Sequence, residues 1–244
     1  MVEAPVMDLK EIKEVFDKLG IIYWVDWGTL LGAVREGKMI EWDTDIDLGT
    51  MSSSWGKIVS AISELEKKGF NVCWEELKIY GNVVERCILF QRSGRPVNMA
   101  LYNVKGENVW EIMSESTNTI AQGLKILCHL LLSQKPMVSQ KWKPFVKVVR
   151  RCLSLLPSGA RTPFSNVVWR AWRRSGIKIV FIVIPKRYFE KLGTTKFYGL
   201  TFSTPFDVEG YLEYHYGKDW KTPKKGWEWH RDEGAVREPA KFMP

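Results

Sequence analysis

The chain has 244 residues, 45% of them hydrophobic and 26% charged, an ordinary globular balance with room for one catalytic domain and an inserted subdomain. The net charge of +8 is unevenly placed: between Ser116 and Phe189 there are 14 Lys and Arg and no Asp or Glu, while the remainder holds 22 basic against 28 acidic residues. That asymmetry points to an anionic partner at one region and excludes a uniformly basic protein. No apolar run approaches the roughly 18 residues of a membrane span. The opening residues, MVEAPVMDLKEIKEVF, show acids and helical periodicity in place of a signal peptide, so the expectation is a cytoplasmic protein. Cys73, Cys87, Cys128 and Cys152 have no CxxC spacing and read as reduced core thiols.

In chain order, Leu9, Ile12, Val15, Phe16 and Leu19 predict a helix from Asp8 to Leu19, capped by Asp8 and stopped by Gly20. Ile21 to Asp26 is a buried strand, Gly28-Thr29 opens a short helix from Leu30 to Arg35, and Thr44 to Leu48 is an acid-bearing strand. Ser52, Ser53 and Ser54 offer an N-cap to a helix ending near Lys68. Phe70 to Trp74 is a short strand, and Val83 to Gln91 with Pro96 to Tyr102 forms a hairpin. Ile120, Leu124, Leu127, Cys128 and Leu131 share one helix face; Trp142, Phe145, Val146, Val149, Leu153 and Leu156 share the next, with Lys141, Lys143, Lys147, Arg150 and Arg151 opposite. Leu155 to Pro163 reads as a linker, Val167 to Arg174 as a Trp- and Arg-rich helical piece, and Ile177 to Ile184 as a buried strand. A short helix from Arg187 to Leu192, a strand from Phe197 to Ser203, a helix from Asp207 to Tyr216 and a polar-aromatic tail complete the chain.

The chemistry is concentrated between Trp24 and Gly49. Asp43, Asp45 and Asp47 alternate, and alternate residues of a strand share a face. Ionised carboxylates about 5 Å apart repel by roughly 3 kcal/mol at an effective dielectric of about 20. A cluster of this kind is relieved by a hard cation, Mg²⁺ or Mn²⁺, on oxygen ligands. Gly28 permits close backbone approach, and amides at a helix start favour anions, so Gly28 and Thr29 are candidates to hold a phosphate. The plain alternative is an N-capped helix followed by a solvated acidic turn. Arg35 either binds a phosphate or braces Asp43. Trp24, Trp27 and Trp42 either stack on a ligand or belong to the core. His129, His215 and His230 have no metal or triad spacing.

GTLLGAVREG followed by IEWDTDIDLG resembles the signature of the LicD and fukutin-related phosphotransferases, and FYGLTFSTPFDVEGYLEYHYGKDWKTP is similar to that family's closing segment. The resemblance implies an α/β fold: a nucleotidyltransferase-like mixed twisted sheet flanked by helices. The catalytic core would span 1–115, an inserted basic helical region 116–176, and a completing part 177–244. It further implies that Asp45 and Asp47 bind metal with Asp43 in support, and that a third carboxylate would come from a later strand. Asn98 stands at that position; an amide ligates weakly and cannot act as a base. Glu85 and Asp26 are the candidate substitutes. The activity implied is transfer of an alcohol phosphate from a CDP-activated donor, such as CDP-choline or CDP-ribitol, to a sugar hydroxyl of a glycan or lipid-linked glycan, with release of CMP. Two alternatives stand beside it: a nucleotidyltransferase using a nucleoside triphosphate, and a non-catalytic binding protein on the same scaffold. The acid-free segment either contacts an anionic membrane, grips an anionic substrate, or merely packs and is solvated. No nucleic-acid motif is present.

Overall fold

The structure is a computed structural model that describes residues 4–79, 82–92, 94–132, 134–136, 138–227 and 232–237. In chain order the elements are α1 (Ala4–Lys18), β1 (Tyr23–Val25), α2 (Trp27–Arg35), β2 (Ile46–Met51), α3 (Trp55–Lys67), β3 (Asn71–Ile79), β4 (Asn82–Gln91), β5 (Val97–Lys105) and β6 (Asn108–Ser116). There follow α4 (Thr119–Leu131), α5 (Lys143–Ser154), α6 (Ser158–Arg174), β7 (Ile177–Pro185), β8 (Leu192–Phe197), β9 (Leu200–Pro205), α7 (Val208–Tyr216) and β10 (Val236–Arg237). The fold is the mixed α/β arrangement expected. The chain divides into two compact units, one of residues 1–72, 87–111 and 181–244, the other of residues 73–86 and 112–180.

In the first unit β1 runs antiparallel to β2, and β2 runs parallel to β5. The far part of β4 lies antiparallel to β5. The register places Trp24 opposite Gly49 and Asp47 opposite Asn98. α1 buries Leu9, Ile12, Val15 and Phe16. Asp8 does not cap this helix, which starts four residues earlier. Its buried carboxyl instead accepts from Nε and Nη2 of Arg92, at 3.0 and 2.7 Å, and Arg92 also holds Glu11. The three serines 52–54 form a 3₁₀ turn, and Ser54 makes no side-chain cap to α3.

The helix expected from Arg187 shortens to a 3₁₀ turn over Lys186–Tyr188, and the expected single strand becomes the hairpin of β8 and β9. Its two-residue turn puts Tyr198 at φ 49° and Gly199 at φ 76°, the left-handed pair that matches the twist of the flanking strands. Tyr-Gly is a poor signal for such a turn; the Tyr198 hydroxyl, which accepts from the Met39 amide at 3.1 Å, helps to hold it.

In the second unit the 73–79 part of β3 pairs with β4, and α4, α5 and α6 share a core of Ile126, Cys128, Leu130, Leu131, Val146, Leu153 and Val168. Asn118 caps α4 by accepting the Ala121 amide at 2.9 Å. Ile120, expected on the buried face, is exposed. The expected linker is helical from Ser158, with Pro163 inside α6. The N–H that Pro163 lacks would have reached the Gly159 carbonyl, and Gly159 is exposed, so the freed carbonyl is open to solvent. Cys128 is buried but Cys152 is exposed, so the four thiols are not all core. β6 was not expected; Gly106-Glu107, between the paired Lys105 and Asn108, is its turn signal. Among the described residues no helix is long and apolar enough to cross a membrane.

Candidate active site

The site is built where β1, α2, β2 and β5 meet. Asp26 ends β1 and caps α2: its Oδ1 accepts the Trp27 amide at 2.9 Å and the Tyr211 hydroxyl at 2.6 Å. Its Oδ2 accepts Trp24 Nε1 at 3.1 Å and the Tyr102 hydroxyl at 2.9 Å. Four donors thus occupy a carboxyl that is fully buried. Both tyrosine hydroxyls are held well above their usual range, by burial first and by the Asp26 charge second. Asp26 is therefore a tie between elements. Trp24, buried and stacked on Tyr102, belongs to the core. Trp27 sits at φ 42°, an unusual conformation for a bulky residue. Its indole donates to Tyr102 at 3.1 Å and meets the His215 ring edge-on.

The three acids come together, though not all from a strand. β2 begins at Ile46, so Asp43 and Asp45 lie on the loop before it and Asp47 on the strand. One oxygen of each lies within 4.8 Å of the others, and all three residues are partly exposed. Asp45 is pushed up to about 6, by desolvation and then by the Asp43 carboxyl. Asp47 is raised well above the usual carboxylate range, by desolvation first and then by Asp45, Asp43 and Asp26. Three solvent-reachable carboxyls that oppose one another's ionisation form an all-oxygen donor set suited to a hard divalent cation.

Gly28 and Thr29 frame this cluster from the first turn of α2. A Cβ on Gly28 would stand 2.3 Å from Asp43 Oδ2, so only glycine lets that carboxyl lie against the helix. The buried Thr29 hydroxyl accepts the Asp47 amide at 2.8 Å, fixing α2 to the acid-bearing strand. Asn98, opposite Asp47 on β5, turns its amide nitrogen to the cluster and donates to Asp45. Half a turn of the amide would present its oxygen instead. Arg35 is not at the acids. Its guanidinium donates to Glu36 at 2.6 Å and reaches the Trp220 carbonyl, so it neither braces Asp43 nor faces the Gly28 turn. Glu85 lies on β4, but its side chain falls outside the described residues. Trp42 is exposed, with the Lys225 ammonium over its ring.

Sequence reasoning missed two features. The convergence of Tyr102 and Tyr211 on Asp26 has only the cap position of Asp26 as a local signal. Near it His215, assigned no chemistry, is buried with Nδ1 2.8 Å from Glu233 Oε1. The Tyr216 hydroxyl is held well above its usual range by burial, then by Glu233 and Asp47, which places the end of α7 within electrostatic reach of the acids.

Residues 20–120 match the family model described as LicD/FKTN/FKRP, nucleotidyltransferase domain. The likeness covers this stretch, less than half of the chain. The matched segment takes in β1, α2, β2 and β5, and with them Gly28, Thr29, the three acids and Asn98. An uncharacterized protein of Rickettsia prowazekii (strain Madrid E) is 36% identical over 67 residues, 28% of this chain and 25% of that protein. Ribitol 5-phosphate transferase FKRP of Homo sapiens is 37% identical over 67 residues, 25% of this chain and 13% of that protein. The matched LicD stretch thus spans a quarter or less of the length of these relatives. A crystal structure of ANT(2'')-Ia in complex with adenylyl-2''-tobramycin aligns with 70% of this chain and 98% of that one, at 18% identity and a TM-score of 0.33, a likeness too slight to carry an argument.

Proposed function

We propose that this protein is a metal-dependent transferase that moves an alcohol phosphate from a CDP-activated donor to a sugar hydroxyl. The observation that carries the reading is the meeting of the Asp43, Asp45 and Asp47 oxygens within 4.8 Å of one another beside the first turn of α2. Asp45 and Asp47 would hold Mg²⁺ or Mn²⁺, with Asp43 supporting from the rim. When bound, such an ion neutralises charge on a pyrophosphate and its leaving oxygen.

The residues of the chain then have separate tasks. Gly28 keeps the floor of the site open, and the α2 amides favour an anionic oxygen there. Thr29 holds Asp47 in register through its amide. Asn98 orients Asp45 and cannot take a proton, so the base must be another group. In the reaction the acceptor oxygen bonds to the phosphorus that carries the alcohol, and the bond from that phosphorus to the CMP oxygen breaks. CMP leaves with the electron pair, and the base takes the hydroxyl proton. The likeness to a ribitol 5-phosphate transferase supports a ribitol-like donor.

The test is release of CMP from CDP-ribitol and CDP-choline with a glycan acceptor, with and without Mg²⁺, for the parent, Asp45→Asn, Asp47→Asn and Glu85→Gln. Metal-dependent release that falls by about a thousandfold in the aspartate variants supports the reading. Pyrophosphate release from a nucleoside triphosphate, with no CMP from either CDP-alcohol, would replace it with nucleotidyl transfer.

A further inference from the structure

We propose that the outer faces of α5 and α6 form a docking surface for an anionic lipid leaflet. Each helix has one face already used. α5 turns Val146 and Leu153 inward, and α6 turns Val168 and the fully buried Trp172 inward. Other apolar residues of the two helices stand clear of that core. On α5, Val148 is 60% exposed, and Leu155, just past the helix end, is 84% exposed. On α6, Phe164 and Val167 are 60% and 62% exposed. At 100° per residue, Lys147 and Arg151 fall on the same outer face as Val148, and Arg170 and Arg174 on the same face as Val167.

Two properties of this surface select the partner. No acid interrupts it, since the chain has none between Ser116 and Phe189. A merely solvated helix face mixes signs and avoids large exposed aliphatic groups. Aliphatic tips ringed by Lys and Arg match the boundary of a bilayer, where apolar groups enter the acyl region and cations meet anionic headgroups. A nucleic acid would use the same cations but gains little from Val148, Leu155 and Val167, because its recognition relies on phosphate contact and base stacking on flat rings. A protein partner would need acids to meet these cations, and no such partner is required to explain the aliphatic tips.

The test is co-sedimentation of the full chain with vesicles of phosphatidylcholine, alone or with about a third phosphatidylglycerol. Partition onto the anionic vesicles is expected to exceed that onto neutral ones by about tenfold or more and to weaken with salt. The variant Lys147→Glu/Arg151→Glu/Arg170→Glu/Arg174→Glu should lose about a hundredfold or more of that partition, at several-fold per charge. The variant Val148→Ser/Leu155→Ser/Phe164→Ser/Val167→Ser should lose about tenfold while keeping every charge. All eight positions are exposed, and melts check that both variants fold. Equal or absent binding to the two vesicle types, or binding indifferent to both variants, overturns the proposal. So does tighter binding to a single-stranded oligonucleotide that the serine variant leaves unchanged, which would assign the surface to nucleic acid. A dimer of the free chain abolished by the serine variant would assign it to a second copy.

Discussion

The Tyr211 hydroxyl donates to Asp26 Oδ1 at 2.6 Å, across 185 residues of sequence. With it, α7 is tied to the residue that starts α2, and the position of the acids depends on the chain's far end. Asp26→Ala would leave four buried donors without their acceptor and should cost about 3–5 kcal/mol. Tyr211→Phe removes one donor and should cost about 1–2 kcal/mol. In urea unfolding the double variant should lose much less than the sum, because both changes act on one network. Additive losses would show that the hydroxyl and the carboxyl act independently.

Gly28 and Gly49 should respond oppositely to alanine. A Cβ on Gly49 would stand 2.4 Å from Trp24 Nε1 and 2.6 Å from Asp26 Oδ2, both buried and fixed. Gly49→Ala should therefore destabilise by about 3 kcal/mol or more. At Gly28 the clash is with Asp43, a partly exposed loop side chain that can swing away. Gly28→Ala should leave stability within about 1 kcal/mol, helped by alanine's helix propensity, while Mg²⁺ affinity falls by about tenfold. That second loss should vanish in an Asp43→Ala background. If it persists, the glycine matters for something other than the room it leaves to Asp43.

The sequence carried this site unevenly. Gly28, Thr29 and the alternating acids are local, within one helix turn and one loop leading into a strand, so their pattern was readable; Asn98, placed by the family resemblance, does stand opposite Asp47. The Asp26 network is not local: Tyr102 and Tyr211 come from β5 and α7, and nothing in their neighbourhoods marks them as partners. Arg35 was misplaced for a related reason. Spacing along a helix gives the direction of a side chain but not the neighbour waiting for it, and here Glu36 and the Trp220 carbonyl took it. The helical start of α6 was hidden by Pro157, Gly159 and Pro163, which locally favour a loop and are overridden where α6 packs on α4.

The thiols should separate in a labelling time course. Cys152 is exposed, whereas Cys128 is buried and its thiol is pushed up to about 11 by desolvation. Since the thiolate is the reacting species, iodoacetamide should modify Cys152 in the native protein and reach Cys128 only on unfolding. Cys152→Ser should remove the fastest phase, leaving slower labelling at the partly exposed Cys73 and Cys87. Label found on Cys128 in the native protein would contradict the packing of α4 on α6.

Removal of metal should expose the repulsion among the acids. For Asp45 the folded protein holds its proton up to about pH 6, whereas the unfolded chain releases it near 3.8. Between those values the folded state binds the extra proton, so stability falls as pH rises through the window, and the penalty is complete above it. Asp47 is shifted in the same direction and extends the loss upward. In the presence of a chelator, Asp45→Asn/Asp47→Asn should melt several degrees above the parent at about pH 7, and that gap should close on acidification to about pH 4. Mg²⁺ added at about pH 7 should raise the parent's melting temperature and leave the variant's unchanged, because only the parent keeps the ligands. A gap that stays constant across the titration would mean that the two carboxyls are not opposing each other, and the argument for a cation between them would lose its electrostatic basis.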